Sequence, residues 1–474
     1  MRLSRYGLKN LLQSLEALQP WFAVLGLVLI AAVGVVADVG TIVRIAFPVC
    51  SFAVGLFLFC RYPSFYIGFT LWLWFLTPWL RRLVDLRSGW DAKGVMLVAP
   101  FLVTLITFIT FVQYVPRSYR QGGLPFILAF VGVVYGFFIG LVNNSAFSVA
   151  RAFLDWLTPI LFGFHLFVNW RDYPKFRQNI QQTFLWGVLV TGVYGIVQYL
   201  VAPEWDRLWI IQTELLTNGT PEPLGIRVFS TMNSPAPFAV VMMAGLLLLF
   251  NNGHVALRIP ASVAGYSAFL LSSVRSAWGG WIVGLLTLFA SLRTRFQMRL
   301  MITIIVLAVC VLPLTTIEPF SEVITSRFET FSKLQEDQSF RDRLRNYDRN
   351  LNTALSSSLG YGIGTAYYSR QGGLQAVGFD SGILDMFFTL GWLGSIPYLG
   401  GVILLLFELF QGSECRFDAF ASAARAIVVG TFAQLALSSV MLGIAGIVLW
   451  GFLGIGLAAQ KYYKHKGIKS ESRF

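Results

Sequence analysis

The chain has 474 residues, 56% of them hydrophobic and only 12% charged, with a formal net charge of +13 and a mean hydropathy of +0.67. Ordinary soluble domains carry roughly 25% charged residues, so a soluble globular protein is excluded. The four cysteines (Cys50, Cys60, Cys310, Cys415) lie in or near apolar runs without metal-ligand spacing, which argues against a disulfide framework.

Apolar runs of about eighteen or more residues recur along the chain, each long enough to cross a roughly 30 Å hydrocarbon core. In lipid such runs must be helical, because each unpaired backbone group there costs several kcal/mol. The expected fold is an all-α polytopic membrane protein with about fourteen transmembrane helices. They are read near 21–38, 41–60, 63–80, 94–114, 124–142, 150–169, 180–202, 235–251, 259–274, 277–291, 299–315, 382–407, 418–435 and 440–459. Residues 1–315 then hold the first eleven helices, 316–379 form one large extramembrane helical loop with an Arg-rich helix, and 380–474 hold the last three helices and a basic tail. The leader carries Arg2, Arg5 and Lys9, and reads as an uncleaved first anchor. Leu8, Leu11, Leu12, Leu15 and Leu18 share one face, as in a helix resting on the cytoplasmic interface.

Short-loop cations orient the chain. With the N-terminus inside, Arg61, Arg117, Arg120, Arg171, Lys175, Arg177, Arg258, Arg293, Arg295, Arg299 and the tail lysines from Lys461 onward all fall on the cytoplasmic side. Both termini are then cytoplasmic. The outer face still keeps Arg81, Arg82, Arg87 and Lys93 in a short loop, together with Arg227, Arg275 and the cations of 316–379. Long loops translocate regardless of charge, and the acids of 316–379 balance much of that stretch as a solvated face. The short Arg81–Arg87 loop and Arg275, flanked by two spans, have no such account and point to an anionic ligand at that face.

Four stretches carry candidate chemistry there. Ser272 to Gly280 places Arg275 at the outer end of a tight helical hairpin, with Gly279 and Gly280 allowing close helix approach. An arginine at membrane depth is expensive and usually functional, although one near the rim also snorkels to headgroups. Arg227 to Ala239 runs from a loop into a span. There Ser230, Thr231 and Asn233 precede Pro235, the pattern of a helix N-terminus that presents N–H groups to an anion.

In the large loop, Arg341, Arg345 and Arg349 recur every four residues and share a helical face, with Arg343 on another side. Forked guanidiniums bind phosphate oxygens bidentately; a solvated amphipathic helix balanced by Asp342 and Asp348 is the plainer alternative. Gly360-x-Gly362-x-Gly364 follows a helix rather than a strand, so it reads as a tight turn or a backbone approach to a ligand and not as a dinucleotide fingerprint. Asp380 and Asp385 stand where the chain re-enters the membrane. Asp380 is the candidate acceptor of a proton from a sugar hydroxyl, a role compatible with capping a helix. The chain has no Asp-x-Asp pair, no histidine cluster and no Walker-type phosphate loop. No metal, cofactor, nucleotide or nucleic acid is therefore implied.

Taken together, these residues resemble the O-antigen ligase/polymerase (Wzy-type) superfamily of bacterial envelope glycan enzymes. The resemblance rests on Arg227…Asn233-Ser-Pro235, on Ser273-Val-Arg-Ser-Ala-Trp-Gly-Gly280, on Ser339-Phe-Arg-Asp-Arg343-x-x-x-Tyr347, on Gly360-Tyr-Gly-Ile-Gly364, and on Asp380-Ser-Gly-Ile-Leu followed by Leu390-Gly-Trp-Leu-Gly394. It covers roughly residues 225–400. It implies transfer of an undecaprenyl-pyrophosphate-linked glycan to an acceptor hydroxyl at the periplasmic face of the inner membrane, without metal. Arg275 and Arg343 match family arginines thought to hold the pyrophosphate. Arg81, Arg82, Arg227, Asn233, Arg341, Arg345, Tyr347, Arg349, Gly362 and Gly364 are the accompanying binding candidates. Asp380 stands where members that transfer glycan to lipid A or protein usually have histidine, which favours a polymerase over a ligase. The partners expected are the lipid-linked glycan and membrane lipid, with a chain-length regulator as a further candidate. A solute transporter is the alternative from another class, because Arg44, Asp155 and Arg425 are intramembrane charges.

Overall fold

A computed structural model describes residues 5–119, 121–250, 255–291, 297–298, 301, 351–352, 354–365, 367–369, 374–376, 381–412 and 418–467. The protein is an all-α polytopic membrane protein. Eight helical segments among the described residues are long and apolar enough to cross a bilayer, and three shorter apolar helices join them. The expected span 299–315 and the Arg-rich helix lie outside the described residues.

The chain opens with α1 (Arg5–Val36), α2 (Gly40–Arg61) and α3 (Pro63–Ser88). Pro63 suits the first turn of α3, where its missing N–H is no loss. The 94–114 run becomes a 3-10 turn followed by α4 (Ala99–Leu105) and α5 (Phe108–Ser118). Next come α6 (Leu124–Asn143), α7 (Ala146–Val168), α8 (Tyr173–Val201) and a short α9 (Glu204–Thr213). The hairpin helices α10 (Pro235–Leu249), α11 (Val255–Leu271) and α12 (Arg275–Ser291) follow. A two-stranded antiparallel ribbon, β1 (Tyr367–Ser369) with β2 (Leu374–Ala376), pairs Tyr367 with Ala376. The chain closes with α13 (Gly382–Gln411), α14 (Ala419–Phe432) and α15 (Gly443–His465).

Small residues let the helices approach. A side chain on Gly163 or Gly454 would collide with backbone across the α7–α15 contact, and one on Gly280 or Gly430 across the α12–α14 contact. Lipid offers no hydrophobic drive for helix association, so close backbone packing of this kind takes its place. Gly280 meets that expectation. Gly279, paired with it in the sequence reading, has no neighbouring atom among the described residues within 4 Å of where a Cβ would stand.

Two corrections concern the helices. Arg81, Arg82 and Asp85 are not in a loop: α3 runs on to Ser88, and all three are buried in its last two turns. The α13 helix is broken at Gly391, whose backbone is non-helical (φ 62°). The glycine loop is wedged into that break. Tyr361 and Gly362 N–H donate to the carbonyls of Phe388 and Thr389, and Trp392 N–H donates to the Ser358 carbonyl. These are the groups a continuous helix would pair internally. Ile363 N–H donates to the Gly136 carbonyl of α6, and the Asn144 amide donates to Thr365 Oγ1 at 2.8 Å. Irregular backbone at membrane depth is tolerated where protein satisfies it, as here.

Helix ends sort onto two faces. One gathers the ends at residues 38–40, 81–95, 143–155, 202–234, 271–275, 357–365, 381–385 and 435–443, tied by Ser88 to Asp38, Arg82 to Ser230, Arg227 to Ser273 and Ser439 to Asp385. The other is tied at Asp418, which accepts from Tyr173, Tyr463 and Arg177, and at Lys461, which donates to the Gln121 carbonyl.

Candidate functional site

The first face is built around the last turns of α3. Arg82 is fully buried, its Nη1 lies 2.6 Å from Asp206 Oδ1 of α9, and its Nη2 donates to the Ser230 carbonyl at 2.6 Å. The same guanidinium lies over the Phe229 ring. Asp206 also accepts from Tyr194 Oη at 2.7 Å and from Gln198 Nε2 at 2.8 Å. Burial pushes the Asp206 carboxyl above the usual carboxylate range, against the pull of Arg82 and of the Tyr194 and Gln198 hydrogen bonds. Arg82 and Asp206 thus form a closed pair that docks α9 and the following loop onto α3.

Arg81, one residue earlier, is 5% exposed. Its Nε donates to Asp85 Oδ2 at 3.1 Å and its Nη2 to the Asp91 carbonyl. Trp90 and Trp209 both face its guanidinium, at 4.8 and 5.0 Å from the ring centres. Asp85 also takes Arg44 at 2.8 Å. Two cations therefore share one carboxylate. Arg44, flagged in the sequence as an intramembrane charge, is a strut from α2 to the end of α3.

Two serines stand in the left-handed region, Ser230 (φ 52°) and Ser273 (φ 54°). Such a backbone costs a non-glycine residue about 1–2 kcal/mol and persists where the surroundings over-determine it. They do. Gln198 Oε1 accepts from Ser230 N–H at 2.7 Å, and Ser230 Oγ donates to the Thr191 carbonyl at 2.6 Å. Each serine's carbonyl oxygen is held by an arginine: Arg82 on Ser230, and Arg227 Nη2 on Ser273 at 3.0 Å. Val228 N–H donates to the Leu271 carbonyl alongside. Arg227 consequently fixes the turn before α12, whose first residue is the half-buried Arg275.

Asn233 lies at the same junction. Its carbonyl accepts from Trp209 Nε1 at 3.0 Å, while its side-chain oxygen and that of Thr231 are buried without a hydrogen-bond partner. A buried polar atom left unpaired, as these are among the described residues, costs about 1–3 kcal/mol. The N–H count of that helix start differs from the sequence expectation. Pro235 and Pro237 carry no N–H, and Phe238 N–H is taken by the Ser234 carbonyl. The end of α10 is therefore a poor anion cradle by its backbone alone; the arginines beside it supply the positive charge.

The remaining predicted residues divide. Arg341, Arg343, Arg345, Tyr347, Arg349 and Asp380 lie outside the described residues. Gly362 and Gly364 do approach backbone closely, but the backbone is the protein's own: side chains there would collide with Gly140 and crowd Val149. They hold the glycine loop against α6 and α7. Asp385 is buried in the first turns of α13, where Ser439 Oγ donates to it at 3.0 Å. Arg425 belongs to the opposite face, donating to the Gly412 carbonyl and lying over Phe410. Sequence reasoning missed Asp206 and Gln198. Asp206 carried a readable signal, an acid in the first turn of a short helix beside outward arginines. Gln198 carried none, since one amide in an apolar span has no pattern.

Among the described residues no group of His, Cys, Asp and Glu is arranged to hold a metal ion. What the face offers is fixed guanidiniums, buried amide and hydroxyl oxygens, and carboxylates set back from them. Such a site holds an anion and orients hydroxyls.

Residues 260–399 match the family model described as O-antigen ligase. The match begins in α11 and takes in Arg275, the large loop and the first half of α13, so the arginine turn and the wedged glycine loop both fall within it. No curated protein matches the chain. Through this segment the chain is similar to the O-antigen ligase family.

Proposed function

We propose that the protein is a glycosyltransferase that polymerises undecaprenyl-pyrophosphate-linked oligosaccharide repeat units at the periplasmic face of the bacterial inner membrane. The observation that carries this reading is the gathering of Arg227, Arg275, Arg81 and Arg82 with buried polar groups on one face of a bundle whose O-antigen ligase segment includes Arg275. Cytoplasmic termini put that face outside, in keeping with the short-loop cations.

Breaking a glycosyl–pyrophosphate bond leaves negative charge on the departing diphosphate. Arg275, steadied by the Arg227-held turn, and Arg343 are the groups assigned to that charge. Each fixed donor of this kind supplies on the order of 10²–10³ in rate. Arg341, Arg345, Arg349, Tyr347 and Asn233 complete the phosphate and sugar contacts. Asp380 accepts the proton of the attacking hydroxyl. Attack opposite the leaving group inverts the anomeric centre. Arg81 and Arg82 act from behind, as the fixed positive field of a wall already satisfied by Asp85 and Asp206. The aspartate at 380 favours extension of one lipid-linked glycan by another over transfer to lipid A or protein.

The purified protein in liposomes, supplied with undecaprenyl-pyrophosphate oligosaccharide, tests the reading. A ladder of longer lipid-linked products supports it. Transfer only to a different acceptor marks a ligase, and solute flux without glycan products marks a transporter; either result overturns it.

A further inference from the structure

Gln198, one turn before the end of α8, is fully buried. Its amide uses every hydrogen bond it can make. Oε1 accepts from Phe229 N–H at 3.0 Å and from Ser230 N–H at 2.7 Å. Nε2 donates to Asp206 Oδ2 at 2.8 Å and to the Ser230 carbonyl at 3.3 Å. With N–H groups on one side and acceptors on the other, the orientation of the amide is settled by its partners. Three of the four bonds fall on two consecutive residues of backbone. A buried amide is costly unless it is paired, and a loop that needs only anchoring is served by apolar packing or a single bond. Four bonds instead fix where residues 229 and 230 stand and which way they turn.

That turn is not one a serine keeps by itself. Ser230 is left-handed (φ 52°), and each of its polar groups is held: N–H by Gln198, the carbonyl by Arg82 at 2.6 Å, and Oγ by the Thr191 carbonyl at 2.6 Å. The two residues before Phe229 carry the restraint onward. Val228 N–H donates at 3.2 Å to the carbonyl of Leu271, the last residue of α11, and Arg227 Nη2 donates to the Ser273 carbonyl at 3.0 Å. Ser273 is itself left-handed (φ 54°), and two residues further on Arg275 begins α12. Hydrogen bonds and short stretches of backbone therefore run without a gap from the Gln198 amide to the turn that presents Arg275.

We propose that Gln198 is a positioning residue for Arg275: by fixing the backbone at 229–230 it sets, through Arg227 and Ser273, where that guanidinium stands against the departing diphosphate. This rests on the glycosyltransferase reading above. Elongation of undecaprenyl-pyrophosphate oligosaccharide by the full-length protein is measured in liposomes and expressed per folded protein, the folded fraction taken from melting. Gln198→Met, similar in size and without the hydrogen bonds, lowers kcat by about ten- to a hundredfold, the range for a reacting group displaced by about 1 Å. KM stays unchanged, as when an interaction made only in the transition state is lost. Gln198→Asn keeps the amide but draws it back by one methylene; it behaves alike and decides the matter should the methionine variant fail to fold. Tyr194→Phe removes a different bond to the same Asp206 and leaves the rate per folded protein unchanged. Equal falls in the Tyr194 and Gln198 variants mark a merely structural network and overturn the proposal. Arg227→Met supplies the second check. Combined with Gln198→Met it costs no more than the larger single loss, because both act along one tie. Losses that multiply overturn the proposal, as does a normal kcat in both Gln198 variants. Wild-type protein that elongates nothing defeats the glycosyltransferase reading first, and this inference with it.

Discussion

At one end of the bundle a single carboxylate, Asp418, answers two tyrosines and an arginine, and also accepts from Phe420 N–H. At the other end Arg44 and Arg81 divide Asp85, Arg82 takes Asp206, and Arg227 and Arg275 bring further positive charge. The first arrangement is closed: each donor has an acceptor, and its work is to pin α8, α14 and α15 together. The second spreads its arginines over several carboxylates and, among the described residues, leaves the side-chain oxygens of Asn233 and Thr231 buried without a partner. In a medium where an unpaired polar group is costly, such groups are retained where a ligand answers them. The difference separates the fastening face from the binding face without reference to any motif.

Variants that break one end and spare the other sharpen this contrast. The largest loss is expected for Asp206→Ala, which strands Arg82 in the interior. Removing one partner of a buried pair costs about 3–5 kcal/mol, read as lost thermal stability in detergent. Asp206→Leu with Arg82→Met, which removes both charges, recovers most of it. Equal loss in single and double variants would show that packing and not charge is what matters there. Gly362→Ala comes next. Its backbone is left-handed (φ 87°) and its new methyl would collide with Gly140, so strain and overpacking together cost about 2–4 kcal/mol. Trypsin accessibility near the loop and thermal stability both report it; a variant as stable as the parent means the loop is not wedged as described. Asp418→Asn loosens the fastening face by about 1–2 kcal/mol and leaves binding of undecaprenyl pyrophosphate unchanged. A fall in that binding would erase the distinction between the ends. The smallest effect belongs to Gly279→Ala, on an open helix surface, where alanine gains up to about 1 kcal/mol. Gly280→Ala next to it, facing Gly430 and Gln434, loses stability instead.

The membrane fold was legible because hydrocarbon leaves one solution for a long apolar run, and a stretch such as 124–142 carries nothing else. The outward cations were legible as a set, and the structure draws Arg81, Arg82 and Arg227 to one face. Their individual duties were not. Whether Arg82 meets a ligand or Asp206 depends on a contact across 124 residues (206 minus 82), which no local pattern encodes. Likewise Gly360, Gly362 and Gly364 announce close backbone approach, and only the break at Gly391, about thirty residues on, tells what is approached. Proline at 235 and again at 237 is in plain view in the sequence. Its consequence, the loss of the very N–H groups expected to greet an anion, follows from the chemistry of proline alone.

The most direct test of the account is elongation of undecaprenyl-pyrophosphate oligosaccharide in liposomes by wild-type protein and by Arg275→Ala, with folding of both verified by their melting. Long lipid-linked glycan from the first and none from the second is the predicted result. Equal ladders from both would contradict the claim that arginines of this face hold the diphosphate during transfer.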